Sequence, residues 1–455
     1  MSESHELDLL DLPVSAGRAG RGPATWGQQA IWDAVSVLGE DAPRYNVSVG
    51  FPLDPAYPRA AVLAALARAA GHHEALRTRM VPGADGELTQ VLDASGHFPV
   101  VIRRCAAEES ATVGDALLAE LASQAFDCAE QWPLRIGLVE ADGLVRHYAM
   151  VLSHTAADGG GLRRLARDVV MLLAAGTGNA GLPPATQPLD LAAYQVSERG
   201  RRRDEAARRH WRSRLGDGPR ALFAPRVPRD PQALFPNACL RSPALLRSVD
   251  HVAAARGVSG SSVLLAAATQ QIGRLSGAPD VLLQVVVNNR FLPGMAQTVT
   301  TLAQEGLFHL RSVEQDFGAL VGRVHAGALG TYRHASYDKR LLDRDIEELR
   351  GELPDLADHS CFFNDTREPA LFRPPAPAGS PVPLSRAREQ TTLTWPVEFP
   401  PRHNLTFAMD VYDAPGAVEL LMTADSSLMP RADMEAFLRG IEDTVVTDAL
   451  ATGCR

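Results

Sequence analysis

The sequence predicts a mixed α/β protein with two lobes, on the basis of three observations. With 455 residues, the chain exceeds the length at which a single hydrophobic core usually stops growing. Short apolar runs typical of buried strands alternate with amphipathic runs typical of helices in both halves of the chain. Between the halves, the segment Ala175–Asp190 is rich in glycine and proline and lacks periodicity, which is typical of a linker.

Five segments carry the clearest secondary-structure patterns. Arg59–Ala70 has apolar residues at helical spacing, whereas His147–Leu152 is a short apolar run that predicts a buried strand. Val263–Leu275 again has helical spacing, and it follows a run of glycine and serine that can cap a helix. Val281–Val287 predicts a second buried strand, and Arg431–Ala449 predicts a closing amphipathic helix.

Composition and charge argue against several classes of function. The formal net charge of -9, with a pI near 5.8, disfavours a nucleic-acid-binding surface. The five cysteines have neither the spacing of zinc ligands nor that of a disulfide framework, and Lys339 is the only lysine available for catalysis. The chain contains no phosphate-binding loop, HExxH motif or dinucleotide fingerprint. No apolar run is long enough for a signal peptide or a membrane span, so a cytoplasmic location is expected.

The sharpest local feature is the segment Ser153–Gly161, SHTAADGGG, which directly follows the strand predicted at His147–Leu152. A histidine at the end of a strand, followed by a glycine-bearing turn, is well placed to project into a cleft. Because an unperturbed imidazole titrates near neutral pH, it suits general-base work on an alcohol or amine, which makes His154 the candidate catalytic residue. Asp158, four residues later, could fix the turn or orient the histidine.

These patterns also allow interpretations without catalysis. About one H-x-x-x-D segment is expected by chance in a chain with 13 histidines. A second such segment, His334–Asp338, lacks the preceding strand and the following glycines. Ser153 and His154 are adjacent, so on a strand they point to opposite faces and cannot form a nucleophile–base pair. The arginine-rich stretch Arg199–Arg214 predicts a solvated helix face or a docking surface for an acidic partner such as a carrier protein.

Several segments in a shared order resemble the condensation domains of non-ribosomal peptide synthetases, over most of the chain. Thr25–Trp32 resembles the family motif S-x-A-Q-x-R-L-W, and His72–Met80 resembles R-H-E-x-L-R-T-x-F. Ser153–Gly159 is similar to the core motif HHxxxDG, with serine in place of the first histidine. Farther on, Asp190–Tyr194 weakly resembles Y-x-D-Y-A-x-W, and Asn289–Arg290 resembles an asparagine–arginine pair that ends a segment of the family's second lobe.

The resemblance implies two lobes, each like a chloramphenicol acetyltransferase subunit, arranged as a V-shaped pseudo-dimer around an active-site tunnel. Residues 1–178 would form the first lobe, which carries the core motif, and residues 179–455 the second. In this family the donor acyl group arrives as a thioester on the phosphopantetheine arm of a carrier protein. The expected partners are therefore an acyl or peptidyl carrier protein and a small-molecule amine or alcohol acceptor. No cofactor and no metal ion bound by the chain itself is expected.

The same resemblance implies roles for individual residues. His154 corresponds to the second histidine of the motif, which acts as a general base or positioning group. Asp158 is expected to hold the loop by pairing with Arg290. Gly159 is expected to let the backbone approach the reaction centre, where its amide could stabilise an oxyanion. Ser153 occupies a mainly structural position in the family and is expected to support the site.

Departures from the family pattern leave several functions open. Ser153 and Ala30 replace a histidine and an arginine of the family motifs. The principal hypothesis is a free-standing condensation enzyme that forms an amide or ester in natural-product biosynthesis. The alternatives are a non-catalytic condensation-like domain that recruits a partner enzyme to a carrier-bound intermediate, and a CoA-dependent O-acyltransferase. An epimerase-type relative would use a glutamate, for which Glu305 is the candidate. His334 falls where the family often carries a His-Gln-Asp motif, without a catalytic role.

Overall fold

A computed structural model of the protein describes residues 7–84, 86–176, 181–226, 233–313, 316–353, 355–367, 383–402 and 404–454. The contacts divide the chain into two units, each assembled from separate stretches of sequence. The first unit comprises Met1–Arg202, Asn288–Ala303 and Asp338–Arg340, and the second comprises Arg203–Val287, Gln304–Tyr337 and Leu341–Arg455. The two units are defined by contacts within the structure and are not the two predicted lobes. The lobe boundary after residue 178 therefore stays a prediction.

The first unit contains two sheets. Its strands are β1 Leu7–Ser15, β2 Gly20–Pro23, β3 Val47–Pro58, β4 Thr78–Pro82, β5 Leu88–Leu92, β6 Ser95–Arg104, β7 Leu134–Ala141 and β8 Leu144–Leu152. A five-stranded sheet has the order β1-β6-β7-β8-β3, in which β6 and β7 run parallel and the other neighbours antiparallel. A three-stranded antiparallel sheet has the order β2-β5-β4.

Helices cover both faces of the five-stranded sheet. The helices of this unit are α1 Trp26–Ser36, α2 Arg59–His72, α3 Ser110–Ala122, α4 Gly159–Ala175 and α5 Pro188–Val196. On one face, α2 and α4 pack together, and Val62 and Val169 share a core with Ile136. On the other face, Leu117 of α3 packs against Val139. Because both faces of the sheet are covered, β7 and β8 consist almost entirely of buried residues. This explains why the sequence of β8 is apolar along most of its length instead of alternating with polar residues. The predicted first helix and first strand are confirmed in α2 and β8.

The second unit contains a seven-stranded mixed sheet. Its strands are β9 Phe235–Ser242, β10 Val281–Val287, β11 Gln304–Leu310, β12 Cys361–Asp365, β13 Thr392–Phe399, β14 Phe407–Ala414 and β15 Ala417–Ala424. The order is β11-β10-β12-β14-β15-β9-β13. β12 runs parallel to both β10 and β14, and the other neighbours are antiparallel. The strand predicted at Val281–Val287 is confirmed as β10.

The remaining helices are α6 Glu198–Asp217, α7 Pro243–Arg256, α8 Gly260–Ser276, α9 Phe317–Arg333, α10 Lys339–Glu352, α11 Leu384–Glu389 and α12 Arg431–Ala451. α7, α8 and α12 pack together over the main core of the second unit. A smaller core joins Trp211 of α6 and Leu342 of α10 to Leu282 and Leu307 of the sheet. The helices predicted in the second half of the chain are confirmed within α8 and α12.

The predicted linker lies only partly within the described residues. Residues 181–187 have no regular secondary structure, and residues 177–180 lie outside the described part. α5 begins at Pro188, a residue type favoured at the first position of a helix. Among the described helices, none alone is long and apolar enough to cross a membrane; α7 and α8 pass that test as a pair but are bent by 105°. The cytoplasmic location stays a prediction.

Candidate active site

The candidate histidine lies on a tight turn between β8 and α4. The strand ends at Leu152, and the amide of Ala156 donates to the carbonyl oxygen of Ser153 at 2.9 Å, which closes a four-residue turn. His154 is therefore the second residue of a β-turn. The residue is half-buried, and the Nδ1 atom of its ring lies inside the protein.

Asp158 lies two residues after this turn and caps α4. One carboxylate oxygen, Oδ1, accepts from the Gly161 amide at 2.7 Å and lies 2.7 Å from Arg290 Nη2 in an ion pair. The other oxygen, Oδ2, accepts from Arg290 Nη1 at 2.9 Å and from the amides of Leu302 and Ala303 at 2.9 and 2.8 Å. The four hydrogen bonds saturate the carboxylate, which offers about four lone-pair directions. Asp158 is therefore a structural acceptor without capacity left to take a proton from a substrate.

The charge of Asp158 is fixed by the same contacts. The residue is only 3% exposed. Burial by itself would raise the pKa of the carboxyl, but the Arg290 guanidinium and the hydrogen bonds to both oxygens outweigh it and hold the pKa below the usual value. Arg290 also donates to the carbonyl oxygens of Asn288, Thr298 and Thr300, at 3.3, 3.3 and 3.0 Å. The ion pair thus fastens the segment Asn288–Ala303 to the N-terminus of α4.

Two glycines after Asp158 make room for the guanidinium. A Cβ on Gly160 would lie 2.6 Å from Arg290 Nη1, and a Cβ on Gly161 would lie 3.0 Å from Nη2. Gly159 is different, because its Cβ position is an ordinary 3.5 Å from Arg163 Nη1. The glycine run therefore serves the packing of Arg290 at its second and third positions. The role predicted for the Gly159 amide stays a prediction.

Thr301 provides a second link between the segment Asn288–Ala303 and the turn. Its buried hydroxyl donates to the carbonyl oxygen of His154. The carbonyl oxygen of Thr301 lies so close to α1 that a Cβ on Gly27 would be only 2.3 Å away. Asn289, with a positive φ of 55°, donates from its amide to the carbonyl oxygen of Leu302 at 2.8 Å and shapes the segment from within. Sequence reasoning missed both Thr301 and Gly27, since no local pattern reports a contact between residues so far apart in the chain.

Replacing Gly27 by alanine is expected to lower the free energy of unfolding by about 1–3 kcal/mol, because the new methyl group overlaps the Thr301 carbonyl and forces α1 and residues 298–303 apart. Urea denaturation measures the loss, and hydrogen exchange should show faster exchange of the Leu302 and Ala303 amides. Gly71→Ala in α2 is the matched control, since its Cβ has only an ordinary contact at 3.9 Å. Equal behaviour of the two variants would contradict the close approach.

The His154 ring has an aromatic neighbour that the sequence did not reveal. The ring centroids of Tyr45 and His154 are 6.4 Å apart, and the ring planes are inclined by 44°. Tyr45 ends a short 3₁₀ turn that begins at Gly39. The next residue, Asn46, donates to the carbonyl oxygens of Ala122 and Gln124 at 2.9 and 2.8 Å, which anchors the start of β3. An aromatic side chain thus flanks the imidazole in the first unit.

Ser153 lies in a small buried polar cluster beneath the turn. Its hydroxyl is 2.9 Å from the hydroxyl of Thr155 and 3.3 Å from the thiol of Cys128. It also accepts from the Thr155 amide at 3.4 Å. Burial raises the pKa of the Cys128 thiol, so this group stays neutral. The serine is therefore part of the internal support of the turn rather than a solvent-facing group.

The other candidate residues belong to the second unit. His334 ends α9, where its Nδ1 donates to the carbonyl oxygen of Gly330 at 2.8 Å and its ring stacks on His210 at a centroid distance of 4.5 Å. Burial lowers the pKa of His210 to about 4, so the His210 ring is uncharged near neutral pH. Glu305 lies on β11 opposite Val286. These contacts give the second H-x-x-x-D segment a structural explanation.

Several arginines of the helix α6 form ion pairs. Arg202 pairs with Glu198 on the same helix, and Arg208 pairs with Asp204 and, across to α10, with Asp345. These contacts fit a solvated, salt-bridged helix face.

Among the residues that the structure describes, no group of three or more His, Cys, Asp or Glu side chains is placed to hold a metal ion.

A comparison with protein-family models matches residues 20–381 to the condensation domain. The matched range covers most of the chain and contains the turn, α4 and the segment that bears Arg290. This protein belongs to the condensation-domain family. The predicted family is thereby confirmed. That Ser153 stands at the first position of the core motif of this condensation domain stays a prediction.

Individual relatives support the same assignment. The domain is 27% identical over 363 residues to the probable non-canonical non-ribosomal peptide synthetase CymA of Salinispora arenicola. The matched region is 75% of this chain and 4% of CymA. It is similar to the condensation domain that releases the chain from the enacyloxin polyketide synthase, with a TM-score of 0.69 and 19% identity over 94% of this chain and 83% of the other. It is also similar to SgcC5 of Streptomyces globisporus, with a TM-score of 0.67 and 18% identity over 94% and 99% of the two chains.

The comparisons define how far the assignment reaches. The solved structures share the mixed α/β condensation-domain fold, which confirms the predicted fold class. This domain spans only a small part of the synthetases that it matches in sequence, 4% of CymA and 13% of the isonitrile lipopeptide synthase of Mycobacterium tuberculosis. A place of this domain in natural-product biosynthesis therefore stays a prediction. The arrangement of the lobes around a tunnel stays a prediction.

Proposed function

We propose that this condensation domain transfers an acyl or aminoacyl group from a carrier-protein thioester to an amine or alcohol, forming an amide or ester. The observation that carries the proposal is the division of labour between His154 and Asp158. His154 is half-buried on an anchored turn, whereas the neighbouring carboxylate already accepts four hydrogen bonds and forms an ion pair with Arg290. Asp158 is therefore committed to the fold, and the role toward the substrate is assigned to His154, the other motif side chain able to exchange a proton.

A thioester is already activated, so catalysis requires positioning and one proton transfer rather than a covalent intermediate. The acceptor nitrogen or oxygen attacks the thioester carbonyl carbon, and the new C–N or C–O bond forms as the C–S bond breaks. His154 accepts the proton from the attacking group, or holds it by a hydrogen bond, and the proton ends on the departing phosphopantetheine sulfur. The phosphopantetheine arm belongs to the carrier protein and enters as part of the substrate.

Asp158 and Arg290 contribute indirectly to this chemistry. Their ion pair holds the segment Asn288–Ala303 against the first turn of α4, and Thr301 of that segment binds the His154 carbonyl oxygen. Two hydrogen bonds thus hold the backbone at His154: the Ala156–Ser153 bond that closes the turn, and the bond from Thr301 to the His154 carbonyl oxygen. A side chain held in this way loses little conformational freedom when a substrate binds.

A non-catalytic recruiting domain is the second candidate, because Ser153 stands in place of the first motif histidine. Such a domain would bind a carrier protein and a partner enzyme without forming product. The contacts of Ser153 favour catalysis over this alternative. Its hydroxyl is hydrogen-bonded to Thr155 and Cys128, so the serine fits its position and the turn that bears His154 keeps its hydrogen bond.

A product assay by mass spectrometry tests the proposal. The purified protein is offered a panel of acyl and aminoacyl carrier-protein thioesters, each with a mixture of amine, alcohol and vicinal-diol acceptors; the diol is included because SgcC5 is known in complex with a naphthyl ethanediol. A carrier-dependent amide or ester product is expected. Carrier binding without product across the panel would contradict catalysis and favour recruitment. The matching acyl-CoA donors decide between carrier-dependent and CoA-dependent transfer.

A further inference from the structure

The seven-stranded sheet of the second unit has a face that lies opposite its main core. The core contains every second residue of the central strands, such as Phe363 of β12, Met409 of β14 and Leu420 of β15. The residues between them point to the other face, because side chains alternate along a strand. On that face the strands β9, β10, β12, β14 and β15 carry residues that are half-buried rather than buried, including Val286, Phe362, Asn364, Asp410, Leu421 and Cys239.

Asp410 lies on this second face without a charged partner in the described part of the chain. In the register of the sheet, Asn364 of β12 lies on one side of it and Leu421 of β15 on the other. Asn364 Nδ2 donates to Asp410 Oδ1 at 2.8 Å. Among the described residues, no arginine, lysine or histidine forms an ion pair with Asp410, whereas Asp158 and Asp365 each have an arginine nitrogen 2.7 Å away.

The carboxyl group of Asp410 is therefore stabilised incompletely by the protein. Burial raises its pKa, and the hydrogen bond from Asn364 and the charge of Arg402 offset this only in part. Its second oxygen, Oδ2, accepts no hydrogen bond from a described residue and is not sealed from solvent. Because a half-buried carboxylate is stabilised by a positively charged partner, a cationic ligand that reaches Oδ2 would supply what the protein leaves out.

The neighbours of Asp410 on the same face are a phenol and apolar side chains. Tyr412 follows two residues later and is 39% exposed, and burial raises its pKa to about 12, so the phenol keeps its proton. Leu421 lies directly opposite Asp410, and Phe362 lies opposite Ala408, the preceding residue of β14 on this face. A largely apolar surface with a few polar groups is typical of small-molecule sites. The three N–H donors of an ammonium group suit the free carboxylate oxygen and the phenolic oxygen.

We propose that Asp410 binds the ammonium group of an aminoacyl substrate, with Asn364 holding the carboxylate and the side chains of Phe362 and Leu421 contacting the carbon skeleton. The bound ammonium is not the reacting group, because a protonated amine has no lone pair with which to attack a thioester. That the ligand is a substrate rests on the proposed function. Binding of an amine at Asp410 does not, and it can be measured without turnover.

Binding of phenethylamine and of its uncharged analogue phenethyl alcohol provides the first test, with dissociation constants measured by ligand-observed NMR. The wild type is expected to bind the amine about tenfold more tightly, the usual size of a hydrogen bond to a charged group. Asp410→Asn keeps the size of the side chain and is expected to remove this preference, while affinity for the alcohol changes less than about twofold. Asp443→Asn, which removes an exposed carboxylate on α12, is the matched control and is expected to keep the preference.

Leu421→Lys tests the same site with the carboxylate intact, and it serves even if Asp410→Asn fails to fold. Directly opposite residues of antiparallel strands have Cβ atoms about 4.5–5.5 Å apart, so a lysine ammonium at this position reaches Asp410. It is expected to weaken phenethylamine binding about tenfold by occupying the carboxylate, whereas the uncharged control Leu421→Met keeps the affinity. Absence of an amine preference in the wild type, or a preference that survives in folded Asp410→Asn or in Leu421→Lys, overturns the inference.

Kinetics connect the site to the proposed function. With phenylalanyl and hydrocinnamoyl thioesters of the same carrier protein, which differ by the amino group, Asp410→Asn is expected to raise KM for the phenylalanyl donor about tenfold. Its kcat, and both constants for the hydrocinnamoyl donor, are expected to stay within about twofold of the wild-type values. Equal effects on the two donors overturn the inference. A wild-type protein that binds phenethylamine through Asp410 but forms no product counts against the proposed function alone.

Discussion

Asp158→Ala is expected to lower the free energy of unfolding by about 3–5 kcal/mol, one of the largest single-residue effects in the molecule. The substitution leaves the Arg290 guanidinium buried without its counter-ion, and removing one partner of a buried ion pair typically costs that much. The side chains of Asp158 and Arg290 are only 4% and 12% exposed, so solvent compensates little. The amides of Gly161, Leu302 and Ala303 lose their acceptor as well. Urea denaturation measures the loss, and faster hydrogen exchange at these three amides locates it.

A double-substitution cycle separates the ion pair from the hydrogen bonds. Asp158→Ala combined with Arg290→Ala removes both charges, so the double variant is expected to be more stable than the sum of the single effects predicts. Glu198→Ala, which breaks the exposed Glu198–Arg202 pair on α6, is the surface control and is expected to change stability little. If Asp158→Ala melts at the wild-type temperature, the pairing with Arg290 is unimportant for stability.

The sequence contained enough information to predict the elements on which the site is built. The apolar run His147–Leu152 predicted β8. A strand that is covered on both faces carries apolar residues at successive positions, so it is visible in the sequence as a continuous apolar run. The glycine-bearing residues that follow predicted a turn, and Asp158 within them is the N-cap of α4. Both predictions depend on neighbours within one or two turns of chain, which is the range over which local patterns carry information.

The contacts that complete the site were beyond such reasoning. Thr301 and Gly27 meet across more than 270 residues, and Tyr45 approaches His154 across about 100, so no periodicity or motif connects them. The pairing of Asp158 with Arg290 was anticipated only because the family motif places an asparagine–arginine pair in that region. The hydrogen bonds of these two side chains with backbone atoms of residues 298–303 were not anticipated. The pattern also gave no hint that the glycines next to Arg290 are Gly160 and Gly161 rather than Gly159.

His154→Ala is expected to lower kcat/KM by a factor of about 100 to 10,000, the usual contribution of a general acid–base residue. Stability should change little, because the imidazole is only half-buried and Thr301 binds the backbone carbonyl oxygen, which alanine keeps. The product assay under initial-rate conditions measures the loss. His97→Ala, an exposed histidine on β6, is the matched control for the loss of an imidazole, and His334→Ala tests the second H-x-x-x-D segment. Both are expected to retain the wild-type rate per folded molecule, and normal turnover by a well-folded His154→Ala variant would refute the role of His154.

The acceptor determines whether His154 works as a base or as a positioning group. A neutral amine attacks a thioester before it loses its proton, whereas an alcohol is a weak nucleophile until the proton is withdrawn. If the imidazole removes the proton as the bond forms, His154→Ala should slow transfer to an alcohol far more than transfer to an amine of similar size. If the imidazole only orients the acceptor, the two losses should be similar, and His154→Gln, which keeps a hydrogen-bonding group, should recover part of both. Parallel assays of the three proteins with a matched amine and alcohol therefore distinguish the two mechanisms with a single donor thioester.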